Sequence, residues 1–178
     1  PLADTMLDAV PNRAHVALAD LESTGHLKTV ITQNIDSLHQ RAGSHNVLEL
    51  HGHLREATCI RCYQGVPVGA DLQQLVREGK LPHCECGGVL KPNVILFGEQ
   101  LPIRVLNEAM QEARRCDLML VAGSSLTVSP AADIPYLAVD SGARAIIVNL
   151  QPTAFDSLAD VTIHGDVVEA LPRIVETI

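Results

Sequence analysis

A short polar segment and a histidine that follows the next apolar run contain residue types that could assist the cleavage of a bond. The side chains are Gln33, Asn34, Asp36 and His51. Amides and carboxylates orient hydroxyl groups and water, and a histidine titrates near neutral pH, so it can act as a general base when it faces a hydroxyl. A lone histidine in a loop is more often a structural residue. The sequence therefore predicts a reactive site only if the fold brings these side chains to one ligand.

Four of the five cysteines form two close pairs, CIRC at 59–62 and CEC at 84–86. Two such pairs suit a tetrahedral zinc ion, and four protein ligands leave no open position for water, so we predict a structural metal. The ligands would be Cys59, Cys62, Cys84 and Cys86. The second pair is shorter than usual, which leaves His83 as an alternative to Cys84. Disulfides are the competing interpretation, and the lack of a secretory signal disfavours them.

The elements that must position these residues alternate between strands and helices. Apolar runs predict strands at 29–32, 46–50, 117–123 and 144–150. Helical spacing predicts helices at 12–21, 35–43, 107–116, 130–142 and 167–178. The strands are apolar along their whole length, which is typical of a parallel sheet covered by helices on both faces. The predicted fold class is therefore α/β with a parallel sheet.

Polar groups follow three of the predicted strands. They are the Gly-Ser-Ser turn at Gly123, Ser124 and Ser125, then Asn149, and then the segment HGD at 164–166, which ends a last predicted strand. Each group alone has a structural explanation, such as the capping of a helix by a serine or an aspartate. Because the carboxyl ends of parallel strands meet at one edge of a sheet, where such folds bind nucleotides, the three groups together predict a ligand edge.

Seven segments together resemble one known family. They are TQNIDSLHQRAG, LELHG, CIRC with CEC, KPNVILFGE, GSSLTVSPAAD, VNLQPT and HGD. In this order and near this spacing they resemble the sirtuins, the NAD-dependent protein-lysine deacylases, from about residue 11 to the end. The resemblance implies a Rossmann-type NAD-binding domain at 1–54 and 93–178, with a zinc-binding module inserted at 55–92. It also implies the removal of acyl groups, such as acetyl, from protein lysine, which yields nicotinamide, O-acyl-ADP-ribose and free lysine.

The resemblance also implies roles for individual residues. His51 would be the general base that acts on the nicotinamide ribose. Gln33 would position the ribose hydroxyls, and Asn34 and Asp36 would hold water and the carboxamide. Contacts to the phosphate, ribose and adenine of NAD would come from Gly123, Ser124, Ser125, Asn149, Leu150, Asp166 and Val167.

The segment NVILFGE at 93–99 would bind the acylated lysine. Ile95 and Phe97 would flank the aliphatic chain, and Gly98 and Glu99 would pair with the peptide backbone as an added strand, a mode that gives weak sequence selectivity. The alternative is that this apolar segment is a core strand without a ligand.

The chain departs from the family pattern in three respects. Ser37 stands where sirtuins commonly have glycine, and Ser124 stands where they commonly have threonine. Sirtuins also begin with a glycine-rich strand, turn and helix that cradles the pyrophosphate, and no such segment precedes Pro1. The resemblance therefore predicts weak NAD binding and little turnover by these 178 residues.

Composition limits the other functions that the chain could have. With 13 basic and 21 acidic residues and no cluster of Lys or Arg, direct binding of nucleic acid is disfavoured. No signal segment is present and no apolar run approaches the ~18 residues of a membrane span, so we expect a cytoplasmic protein. The resemblance implies an acylated peptide or protein as its partner. The alternatives are a non-catalytic, zinc-containing peptide-binding protein and a protein ADP-ribosyltransferase. A pure binder would have no reason to keep the set of polar residues around His51.

Overall fold

The first part of the chain forms a helix followed by a strand, helix, strand unit. The computed structural model describes residues 8–96 and 98–178. The elements are α1 (Arg13–Ser23), β1 (Val30–Thr32), α2 (Leu38–Ala42) and β2 (Val47–Glu49). Strands β1 and β2 pair in parallel, with Ile31 opposite Leu48. Helix α2 begins later than its predicted start, because Ser37 has a left-handed backbone (φ 60°, ψ 24°) that keeps 33–37 as a loop. It ends at Gly43 as predicted.

The second part forms a three-stranded parallel sheet. Its strands are β6 (Leu118–Ala122), β7 (Arg144–Asn149) and β8 (Val161–His164), in that spatial order. Its helices are α4 (Ile103–Arg115), α5 (Ile134–Asp140) and α6 (Val167–Val175), with 3-10 turns at Ala131–Asp133 and Ala154–Ser157. The register places Ala122 opposite Val148, and Asn149 opposite His164, so the three carboxyl ends lie side by side.

Apolar residues of β7 alternate between two core clusters, which shows that this sheet is covered on both faces. Ile146 and Val148 pack with Leu171 of α6. Ala145 and Ile147 pack with Phe155, which is fully buried. Successive side chains of a strand point to opposite faces, so the two clusters lie on opposite sides of the sheet. This arrangement confirms the α/β class predicted from the apolar strands.

The cysteine-containing part forms a separate antiparallel sheet. Its strands are β3 (Gly52–Cys59), β4 (Gly65–Pro67) and β5 (Leu90–Val94), in the order β4-β3-β5, with α3 (Ala70–Arg77) between β4 and β5. A Cβ on Gly52 would lie 2.0 Å from the backbone oxygen of Asn93, so only glycine lets β3 and β5 approach so closely next to His51. The division of the chain at residues 55 and 92 stays a prediction. None of the helices in the described ranges is long and apolar enough to cross a membrane.

Candidate active site and metal centre

His51 follows β2 almost directly and contacts the loop that precedes α2. Its Nδ1 lies 3.1 Å from the backbone oxygen of Gln33. A carbonyl oxygen only accepts hydrogen bonds, so Nδ1 must carry the proton, and the neutral ring then has its lone pair at Nε2. The fold thus brings together two of the residues singled out from the sequence and gives His51 the tautomer that a base at Nε2 requires.

A cavity of about 770 Å³ adjoins His51. It is lined by Ile95, Gly98 and Glu99, which are residues of the predicted acyl-lysine segment, and by Ser129 from the loop after β6. The backbone amide of Ile95 donates to the backbone oxygen of His51 at 2.9 Å, which fixes this segment beside the imidazole. Phe97, also predicted to flank the acyl chain, lies outside the described residues.

The turn at 94–99 is closed by an ion pair that the sequence did not reveal. One carboxylate oxygen of Glu99 accepts from the backbone amide of Leu96 and from Lys91 Nζ, both at 2.9 Å. Lys91 Nζ also donates to the backbone oxygen of Val94 at 3.0 Å. The Leu96 amide and the Lys91 ammonium lower the pKa of Glu99. The Glu99 carboxylate therefore holds the turn together, and its predicted backbone pairing with a peptide stays a prediction.

The loop at 33–37 is anchored by hydrogen bonds to its own ends and to β3. The amide of Asn34 donates to Thr32 Oγ1 at 3.1 Å, and the amide of Leu38 donates to Asp36 Oδ1 at 2.9 Å. The amide of Leu54 donates to the backbone oxygen of Ile35 at 3.2 Å. Asp36 thus has a structural task, capping the start of α2, that the sequence analysis missed. The side chain of Asn34 is exposed and free to meet a ligand.

One arginine of β3 bridges this loop to β2. The guanidinium of Arg55 donates to both carboxylate oxygens of Glu49, at 2.7 Å and 2.6 Å, and to the hydroxyl of Ser37. The hydrogen bond to Glu49 raises the pKa of Arg55. No local pattern relates positions 37, 49 and 55, so the sequence offered no signal for this contact.

In the fold, the predicted ligand edge lies at the carboxyl ends of β6, β7 and β8, which are side by side. Gly123 follows β6 with a left-handed backbone (φ 61°), and its amide donates to the backbone oxygen of Val148 at 2.9 Å. A Cβ on Gly123 would lie 3.7 Å from Val167 Cγ1, so the turn after β6 touches the start of α6. Asp166 caps α6 by accepting from the amide of Val168 at 2.8 Å.

Hydroxyl and amide groups at this edge suit the ribose and phosphate groups of a dinucleotide. Ser124 Oγ accepts from the amide of Leu126 at 3.3 Å, and the exposed Ser125 lies 3.0 Å from the Thr127 hydroxyl. Asn149 Nδ2 donates to the backbone oxygen of Gln151 at 2.8 Å, and Leu150 is 71% exposed beside it. The donors and acceptors at this edge fit NAD.

The four predicted zinc ligands form one compact group of sulfur atoms. All four Sγ atoms lie within 4.8 Å of one another. The distances are 3.5 Å between Cys59 and Cys86, and 3.7 Å between Cys62 and Cys84. Sulfurs at tetrahedral zinc lie about 3.8 Å apart, and a disulfide requires about 2.05 Å, so the group fits a metal. Cys84 belongs to the group and the exposed His83 does not.

Backbone amides stabilise negative charge on one of the four sulfurs, that of Cys59. The amides of Cys62 and Arg61 hold the pKa of Cys59 well below its ordinary value, at about 6. A Cβ on Gly88 would lie 2.6 Å from Cys59 Sγ, so glycine is required there. The Gly88 amide lowers the pKa of Cys86, but the neighbouring Cys59 and Cys62 sulfurs raise it to about 12. Thiolates are the form that binds zinc, so Cys59 is the sulfur that the backbone prepares for a metal.

Comparison with known proteins identifies the family. Residues 2–130 match the model of the Sir2 family. The chain is 50% identical over 174 residues to the NAD-dependent protein deacylase 2 of Archaeoglobus fulgidus, covering 97% of this chain and 68% of that protein. It is 46% identical over 173 residues to the NAD-dependent protein deacetylase of Sulfurisphaera tokodaii, with the same two coverages of 97% and 68%. A solved structure of Sir2 with a p53 peptide and NAD+ superposes with a TM-score of 0.90 at 47% identity, covering 97% of this chain and 72% of that one.

These matches and the geometry agree on one class of protein, an α/β protein with a four-cysteine group that fits a metal. The chain belongs to the Sir2 family, as the seven sequence segments predicted.

Proposed function

We propose that the protein is an NAD-dependent protein-lysine deacylase that yields nicotinamide, O-acyl-ADP-ribose and free lysine. The observation that carries this proposal is the His51 Nδ1 contact with Gln33 beside the cavity lined by Ile95, Gly98 and Glu99. This contact places an imidazole that can accept a proton next to the cavity, which is lined by the segment predicted to bind acyl-lysine. The names of the relatives, deacylase and deacetylase, support the same reaction.

In this proposal the acyl carbonyl oxygen of the lysine substrate would attack the anomeric carbon of NAD as the bond to nicotinamide breaks. The acyl group would then pass from the lysine to ADP-ribose, and one water would be consumed as the lysine is freed. His51 Nε2 would accept a proton from a ribose hydroxyl, while its protonated Nδ1 keeps donating to the backbone oxygen of Gln33. Gln33 orients the ribose hydroxyls, and Asn34 and Asp36 hold water and the carboxamide. The nicotinamide ring of NAD is cationic and leaves as a neutral molecule, so it needs no acid to protonate it. Orientation of the reactants and one base therefore suffice.

The remaining roles follow the positions of the residues in the fold. Residues that hold the cofactor at the sheet edge are Gly123, Ser124, Ser125, Asn149, Leu150, Asp166 and Val167. Ile95, Phe97, Gly98 and Glu99 hold the acylated lysine. Zinc bound to Cys59, Cys62, Cys84 and Cys86 would stabilise the antiparallel sheet. The zinc-binding module comprises residues 55–92, and the NAD-binding domain comprises residues 1–54 and 93–178. A sulfur group arranged for a metal rather than for disulfides supports a cytoplasmic location.

The test measures nicotinamide release from NAD with and without an acetyl-lysine peptide. We expect slow release that depends on the peptide, because NAD binding by this chain is predicted to be weak. We expect a further loss of at least about a hundredfold in His51→Ala, because general bases typically contribute factors of that size. His45→Ala is the matched control, since His45 is exposed and contacts Glu22 only through its backbone amide. Release by His51→Ala at the rate of the parent protein would refute the role of the imidazole.

A further inference from the structure

A single arginine links the polar loop at 33–37 to the strand that precedes His51. The side chain of Glu49, at the end of β2, is only 10% exposed, and the Arg55 guanidinium holds both of its carboxylate oxygens. The nitrogen that binds one of these oxygens also donates to the Ser37 hydroxyl. A guanidinium is planar and always charged, so it holds its two partners in a fixed relative position in a way that an ammonium group does not.

The backbone of Ser37 explains why the loop needs this link. Ser37 is buried and has φ 60° and ψ 24°, a left-handed conformation that glycine adopts readily and serine rarely. Its hydroxyl makes no hydrogen bond to the amides that open α2, whereas the neighbouring Asp36 caps that helix. The hydrogen bond from Arg55 to the Ser37 hydroxyl is therefore placed where it can stabilise the left-handed backbone of Ser37.

We propose that Arg55 is a positioning residue that holds the loop at 33–37, which carries Gln33 and Asp36, in the shape that brings the backbone oxygen of Gln33 to His51. Its effect on the reaction rests on the proposed function, whereas its effect on the loop does not. Without Arg55, Ser37 relaxes toward negative φ and only a fraction of molecules keeps the competent loop. The apparent affinity for NAD then falls by that fraction.

The test combines Arg55→Met with Ser37→Gly in a double-mutant cycle and measures the KM for NAD and kcat. In the parent background, Arg55→Met is expected to raise KM about fivefold to tenfold and to change kcat less than about twofold, because saturating NAD selects the competent loop. In the Ser37→Gly background, the same change is expected to raise KM less than about threefold, because glycine adopts the left-handed conformation unaided.

Arg144→Met is the matched control. Arg144 is an exposed arginine at the start of β7 whose Nε pairs with Asp160 at 3.2 Å, and it should leave KM and kcat unchanged. Equal increases in KM in both Ser37 backgrounds would overturn the proposal, because Arg55 would then act through Glu49 alone. A lower kcat at unchanged KM would also overturn it, because that pattern reports only a loss of folded enzyme.

Hydrogen exchange separates this proposal from the proposed function. The amides of residues 33–38, measured by mass spectrometry without NAD, are expected to exchange at least about fivefold faster in Arg55→Met. Adding Ser37→Gly should return them toward the parent rate. If the protein releases no nicotinamide at all, hydrogen exchange alone tests the role of Arg55. Unchanged exchange in Arg55→Met would then refute the proposal that Arg55 holds the loop at 33–37.

Discussion

The metal centre and the His51 cavity are assembled in opposite ways. The four sulfurs come from two tight turns of one small sheet, at 59–62 and 84–86. The His51 cavity collects groups from the end of β2, from the segment after β5 and from the loop after β6. The spacing of residues along the chain thus encodes the first site, whereas the second depends on contacts between distant segments. The two sites should therefore respond differently to single substitutions.

The largest effect is expected at the metal centre, because the core of the antiparallel sheet is small. Only Ala57, Cys59, Cys84 and Leu90 form its buried cluster among the described residues. Removal of zinc by a chelator, or Cys59→Ser, should lower the thermal midpoint by more than about 10 °C, because metal binding supplies folding energy to such small sheets. Calorimetry with a measured zinc content per chain checks this.

Cys116→Ser is the control for that experiment. Cys116 lies between α4 and β6, outside the sulfur group, and burial raises the pKa of its thiol. The variant should bind one zinc and keep the thermal midpoint to within about 3 °C, because it removes no ligand. An unchanged midpoint after complete zinc removal would show that hydrogen bonds alone hold this sheet, and would break the contrast between the two sites.

The smallest effect is expected at the turn that lines the cavity. Lys91 and Glu99 are 38% and 40% exposed, so their ion pair is partly screened by water. Lys91→Met should raise the KM for an acetyl-lysine peptide about twofold to threefold and leave the KM for NAD unchanged, because the pair closes the turn at 94–99 without contacting the sheet edge.

Lys80→Met provides the comparison for that variant. Lys80 lies away from the cavity, and its Nζ pairs with Glu78 at a distance of 2.6 Å. It should change neither KM. An equal change in the KM for NAD and for peptide in Lys91→Met would show that the turn and the cofactor edge act as one unit.

The strands and the metal group could be predicted from the sequence because their signals are local. Continuous apolar runs marked β1, β2, β6 and β7, and the cysteine pairs marked the sulfur group. The meeting of three strand ends at one edge of the sheet was predictable from general topology, since the carboxyl ends of neighbouring parallel strands lie together. The helix at 35–43 began too early in the prediction, because the pattern of apolar residues does not show the left-handed backbone of Ser37.

The contacts that join the segments of the site could not be predicted from the sequence. The His51 contact with Gln33, the Arg55 bridge and the Lys91 pair with Glu99 all depend on the three-dimensional path of the chain. The departure from glycine at position 37 was visible, but its meaning was not. Only the fold shows that the serine there is left-handed and that its hydroxyl meets an arginine.

The most direct test of the proposed reaction is the stoichiometry of its products by mass spectrometry. With NAD and an acetyl-lysine peptide, we expect one nicotinamide and one O-acetyl-ADP-ribose for each lysine that is freed, and none of these products in His51→Ala. An ADP-ribosylated peptide, or nicotinamide released without free lysine, would contradict deacylation and would favour ADP-ribosyl transfer.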